Sequence, residues 1–125
     1  MNKELNILII EDDAALLFLY NRYLLNLGYK NIITAADGIA ALEQLNKNHF
    51  DLIISDWDIP EMNGLELLAE LRSQEKFKNI PFVLMTGHRD KEMELKKIHQ
   101  GVNKFLLKPA DVEKFQQAIN ECFND

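Results

Sequence analysis

Two hydrophobic periods alternate along the chain. Residues 5–10 (LNILII) form a short apolar run rich in isoleucine, the pattern of a strand buried on both faces. Over residues 13–27 the period changes, and Leu16, Leu17, Tyr20, Leu24 and Leu27 recur at helical spacing. Asp13 is placed to cap the first turn of that helix, and Gly28 follows its end. The alternation then repeats. Residues 31–35 (NIITA) predict a second strand and 37–47 a second helix, with Ile39, Leu42 and Leu45 facing inward. Residues 51–55 (DLIIS) predict a third strand, and 65–72 a third helix after Asn63-Gly64. Residues 80–85 (IPFVLM) predict a fourth strand and 91–99 a more polar fourth helix. Residues 104–107 (KFLL) predict a fifth strand, stopped by Pro109. Residues 112–123 predict a last helix with Val112, Phe115, Ile119 and Phe123 inward.

Five strand–helix units in series call for an α/β fold: a doubly wound, five-stranded parallel sheet with five helices on its two faces. Right-handed crossovers leave few topologies for such a sheet. Ligands of these sheets sit beyond the carboxyl ends of the strands, where the strand order reverses. The residues just after each strand therefore carry the chemistry. They are Glu11-Asp12, then Ala35-Ala36 with nothing reactive, then Asp56, Thr86 and Lys108.

Composition narrows the picture. The 125 residues are 47% hydrophobic and 27% charged, which fits one domain, residues 1–125, with its own core. The formal charge of −6 argues against a nucleic-acid partner, which needs a basic face. No apolar run reaches the roughly 20 residues that span a bilayer, and the start lacks the cationic and long apolar regions of a signal peptide, so no membrane association is expected. The single cysteine, Cys122, fits a cytoplasmic location. The initial Met and an end just after the last predicted helix lead us to expect a stand-alone protein without an output domain, although an excised module would look the same.

Three carboxylates converging on one crevice raise one another's pKa, and a hard cation relieves them. Magnesium suits carboxylate and water oxygens; no histidine or cysteine cluster favours zinc. A carboxylate beside bound magnesium can attack a phosphoryl group, with Lys108 and the Thr86 hydroxyl supplying a cation and a donor for its oxygens.

The segments IIEDD, DLIISDWDIPEMNGLELL, VLMTG and FLLKP, in that order and each at a strand end, resemble the receiver domain of two-component response regulators, of the CheY-like kind. The resemblance spans the whole chain. It implies a flavodoxin-like sheet of order 2-1-3-4-5 and a phosphoacceptor at Asp56. It implies a Mg2+ site of Glu11, Asp12, Asp56 and the main-chain carbonyl of Asp58, with Asp12 a direct ligand and Glu11 acting through water. Lys108 would pair with the phosphoryl group, and the Lys108–Pro109 bond is expected to be cis. Thr86 would move toward the phosphoryl group, and Phe105 would swing inward with it. The donor would be a histidine kinase or a phosphotransfer protein. The output would be contact with a downstream protein, of unassigned identity, on the face of the fourth helix, fifth strand and fifth helix. Val102-Asn103-Lys104 stand where dimerising receivers carry acidic residues, so a monomer is expected.

Three positions depart from the family's commonest pattern. Asp58 adds a fourth carboxylate that either repels the incoming donor or recruits cation and water. His88 stands near the path of attacking water, and with Asp58 is expected to tune the lifetime of the phosphoryl group. Ala110 follows Lys108-Pro109 where an aromatic residue is frequent. Two rival readings remain: a receiver-like module that binds protein without phosphorylation, and a phosphatase using Asp56-Trp57-Asp58 as a D-x-D nucleophile and acid. The second is weakened because the motif follows the third strand and Pro60 replaces the expected threonine. Apart from its own phosphorylation and dephosphorylation, the chain is not expected to be an enzyme.

Overall fold

The structure is a computed structural model and describes residues 3–87 and 101–123. Its elements follow the alternation of the sequence: β1 (Asn6–Ile10), α1 (Ala14–Asn26), β2 (Asn31–Ala35), α2 (Gly38–Lys47), β3 (Leu52–Asp56), α3 (Gly64–Arg72), β4 (Phe82–Thr86), β5 (Lys104–Leu107) and α4 (Val112–Phe123). The strands form one parallel sheet in the order β2-β1-β3-β4-β5. The predicted helix at 91–99, and with it His88 and His99, lies outside the described residues.

Side chains alternate between the two faces of the sheet, with the strand period of two. Ile7 and Ile9, Leu52 and Ile54, Val83 and Met85, and Leu106 pack against Tyr20 and Leu24 of α1 and Phe115, Ala118 and Ile119 of α4. Leu8 and Ile10, Ile53, Phe82 and Leu84 pack against Ala41 and Leu45 of α2 and Leu67, Leu68 and Leu71 of α3. The inner strands β3 and β4 are buried along their whole length.

Caps set the helix starts. The Asp13 carboxylate accepts from Ala15 and Leu16 N–H, Asp37 caps α2, and Asn63 with Glu66 closes a capping box on α3. Gly28 ends α1 with φ of 100°. Two inward assignments need correction. Ile39 is 51% exposed, because Gly38, Ala41 and Leu45 turn the buried stripe of α2. Phe123 is 36% exposed in the last turn of α4, and Ala118 takes its place in the core. Among the described residues, no helix is long and apolar enough to cross a membrane.

Candidate functional site

The strand alternation, carried one step past the core, builds the site. Glu11 continues the row of Ile7 and Ile9, Asp56 that of Leu52 and Ile54, and Lys108 that of Leu106. All three therefore belong to the sheet face that α1 and α4 cover. The Lys108 ammonium donates to Glu11 Oε1 at 2.9 Å and pairs with Asp56 Oδ1 at 3.1 Å. Glu11 and Asp56 are buried, at 1% and 5% exposure, while Asp12 is exposed. One carboxylate oxygen from each of Glu11, Asp12 and Asp56 lies within 4.8 Å of the others.

Burial pushes the Asp56 carboxyl above its usual range; Lys108 opposes this and the Asp58 charge adds to it. Burial also raises Glu11, against the hydrogen bonds from Lys108 and from the Asp13 N–H. On Lys108, burial works to lower the pKa, but its bonds and charges with Glu11 and Asp56 prevail and raise it. The result is a retained cation between two carboxylates that are costly to ionise.

Asp56 and Thr86 are the last residues of β3 and β4 rather than loop residues beyond them. Thr86 is buried and continues the row of Phe82 and Leu84, on the opposite sheet face from Asp56. Phe105 pairs in register with Leu84, and Leu107 with Thr86; Phe105 packs at the margin of that same face. Thr86 and Phe105 thus share one face, and Glu11, Asp56 and Lys108 share the other. The Thr86 carbonyl accepts from Lys108 N–H at 2.8 Å, and the Lys108–Pro109 bond is cis.

The connection after Asp56 is pressed close to the site. Trp57 is half-buried and Asp58 exposed. Trp57 O accepts from Gly64 N–H at 2.8 Å, and a methyl on Gly64 would meet the Asp56 carbonyl oxygen at 2.7 Å. A similar methyl on Gly38 would meet Met62 at 2.9 Å, so α2 starts against this loop. Two contributors were not read from the sequence. Ser55 donates its hydroxyl to the Asp56 carbonyl at 2.9 Å. Tyr20 borders the same cavity as Lys108, Pro109 and Ala110. Ala110, a small residue after Lys108-Pro109, was the available signal for the second.

A family model described as the response regulator receiver domain matches residues 7–120. The chain belongs to that family. Among curated proteins, the chemotaxis protein CheY-3 of Vibrio cholerae serotype O1 is 31% identical over 123 residues, covering 98% of this chain and 95% of the relative. The chemotaxis protein CheY1 of Helicobacter pylori is 33% identical over 116 residues, covering 92% and 94%. Among solved structures, the chemotaxis response regulator CheY4 of Vibrio cholerae superposes with a TM-score of 0.87 at 28% identity, covering 96% of this chain and 99% of that one. The fold is accordingly the flavodoxin-like fold of CheY-like receivers, and the chain is a two-component receiver. Such receivers are phosphoryl-accepting signalling switches that work with histidine kinases or phosphotransfer proteins and with downstream targets. The D-x-D phosphatase and the unphosphorylated binding module are not favoured.

Proposed function

We propose that residues 1–125 act as one cytoplasmic, monomeric phosphorylation switch in which Asp56 is the phosphoryl acceptor. The observation that carries this reading is the Lys108 ammonium seated between Glu11 and Asp56, with Asp12 beside them at the carboxyl edge of the sheet. The donor set is all carboxylate oxygen and open to solvent at Asp12, which fits a hard divalent cation. Glu11, Asp12, Asp56 and the Asp58 main-chain carbonyl would hold Mg2+, which when bound supplies charge neutralisation for the phosphoryl group.

An Asp56 carboxylate oxygen attacks the phosphorus of a phosphohistidine on a kinase or phosphotransfer protein. The new oxygen–phosphorus bond forms as the phosphorus–nitrogen bond breaks, and the imidazole keeps the electron pair. Lys108 is already held at Asp56, so its charge is placed before the reaction and need not be recruited. The Thr86 hydroxyl then hydrogen-bonds a phosphoryl oxygen. Phosphorylation favours one of two arrangements of Thr86 and Phe105, and Phe105 on β5 carries the change to the face made by the predicted helix at 91–99, β5 and α4, where a downstream protein reads it. Asp58, together with His88 outside the described residues, tunes how long the phosphoryl group lasts.

The test is intact mass after incubation with a small-molecule phosphoryl donor. Wild type should gain one phosphoryl group in the presence of Mg2+ and none after chelation, and Asp56→Asn should gain none. An adduct that persists in Asp56→Asn would overturn the assignment.

A further inference from the structure

Lys108 is fixed at both ends of its residue, but its four-carbon stem needs a wall. Its N–H is tied to Thr86, its ammonium to two carboxylates, and its side chain is 20% exposed. The residue that follows the Lys108–Pro109 turn, Ala110, is buried and offers only a methyl to the space beneath. A cavity of about 390 Å³ opens there, with Tyr20 and Tyr23 of α1 on one side and Lys108, Pro109 and Ala110 on the other.

Tyr20 is the large side chain at this boundary. It is 2% exposed and belongs to the core cluster on the sheet face that carries Glu11, Asp56 and Lys108. Long side chains on a helix lean toward its N-terminus, and α1 begins beside the acidic pair, so the Tyr20 ring leans toward the site. It cannot easily turn away. Its centroid is 5.0 Å from that of Phe115 and 6.3 Å from that of Tyr23, and those two rings are 5.6 Å apart, so the three aromatics fix one another. Burial raises the pKa of the Tyr20 hydroxyl, the Lys108 charge lowers it, and the charges of Glu11 and Asp56 raise it.

We propose that Tyr20 is the positioning residue for Lys108: its ring forms the α1 wall of the cavity that Ala110 leaves under the Lys108–Pro109 turn and so confines the lysine stem and holds the ammonium between Glu11 and Asp56. Tyr20 acts through the lysine stem, much as a second residue behind a catalytic group restricts that group to one geometry. The effect on phosphorylation rests on the acceptor reading above. The placement of Lys108 does not, because it is a property of the unphosphorylated chain.

The two can be tested separately. Protein labelled with ¹³C-lysine gives a signal for each ε-methylene, and Lys108→Arg identifies the one from Lys108. In wild type and in Tyr20→Phe, which keeps the ring, that signal should stand apart from those of the exposed lysines. In Tyr20→Val it should collapse toward them, and adding Ala110→Phe should move it back. Tyr20→Val should also label Asp56 about tenfold more slowly at saturating donor, with the half-saturating donor concentration unchanged. If Tyr20→Val does not fold, Tyr20→Leu serves in its place. A Lys108 signal unmoved in a variant whose methyl spectrum shows it folded would overturn the proposal. A wild type that takes no phosphoryl group, with the Lys108 signal still moved by Tyr20→Val, would refute the acceptor reading and support the positioning role.

Discussion

The two ends of the sheet obey opposite rules. At the foot, where the strands begin, Ile7, Leu52 and Phe82 are buried completely, and the charges stay outside. Lys30 pairs with Glu4 at 3.0 Å with both side chains 66% exposed, and His49 pairs with Asp51 at 3.0 Å on the rim. At the head, the four buried polar or charged residues of the described chain are Glu11, Ser55, Asp56 and Thr86, and each lies at a strand's carboxyl end or just past it. Burying a charge costs more than pairing returns unless the geometry is good. A chain shaped for stability alone would make its head like its foot. The difference shows where stability has been given up for a reactive site.

If the head is a strained electrostatic balance, removing its cation should hurt most. Lys108→Met should destabilise the protein by about 3 kcal/mol, because Glu11 and Asp56 would remain buried without a counter-charge. Urea unfolding at neutral pH checks this. A loss no larger than that of a rim lysine would mean that the carboxylates are better solvated than their burial indicates. Removing an acid should act in the opposite direction. Asp56→Asn relieves a carboxylate that burial and Asp58 make costly to ionise, so the metal-free protein should gain on the order of 1 kcal/mol. The same unfolding curve measures it, and a net loss would mean that the pairing of Asp56 with Lys108 outweighs the cost of burying the carboxylate. At the foot, His49→Ala removes an exposed pair and should shift stability by less than about 0.5 kcal/mol in either direction.

The head was legible before the foot, although the foot holds the simpler structure. Where each strand should end, and the rule that parallel sheets bind at those ends, were enough to bring Glu11, Asp12, Asp56 and Lys108 to one edge of the sheet and to set Thr86 at a neighbouring strand end. The assignment of sheet faces was hidden. A run such as LNILII is apolar on both sides, so its period of two leaves no mark in the sequence, and the separation of Thr86 and Phe105 from Asp56 and Lys108 appears only in three dimensions. Ile39 misled because it sits at a helical spacing beside Leu42, while the small residues Gly38 and Ala41 make the close contacts. Phe123 misled because a helix's last turn can pass beyond the core it packs on. Tyr20 read as an ordinary inward residue of an amphipathic helix, and only its neighbours across the cavity distinguish it.

Cys122 gives the sharpest contrast with the head, with the smallest effect near neutrality. It lies in the last turn of α4, which runs from the head toward the foot, half-buried against the core. Here burial meets little opposition: it pushes the thiol from 9.0 up to about 11, with Lys104 lowering it slightly and Glu121 raising it. At the head Lys108 works against the effect of burial on Glu11 and Asp56; at Cys122 burial prevails and the thiol stays neutral up to about pH 11. The folded pKa is raised, so the contribution to stability is fully present below pH 9 and is lost as the pH rises through about 11. Near pH 7 the thiol is neutral in the folded and the unfolded chain alike, so the effect of Cys122→Ser on stability should not vary with pH there. Because about two pH units separate 9.0 from about 11, the native thiolate fraction at pH 8 should be roughly a hundredfold below that of an exposed thiol. Alkylation by iodoacetamide, followed by mass, should be correspondingly slow at pH 8 and should accelerate tenfold per pH unit up to about pH 11. A native rate at pH 8 equal to that of the urea-unfolded chain would show that the foot end of α4 opens to solvent and that its burial is not what holds the thiol neutral.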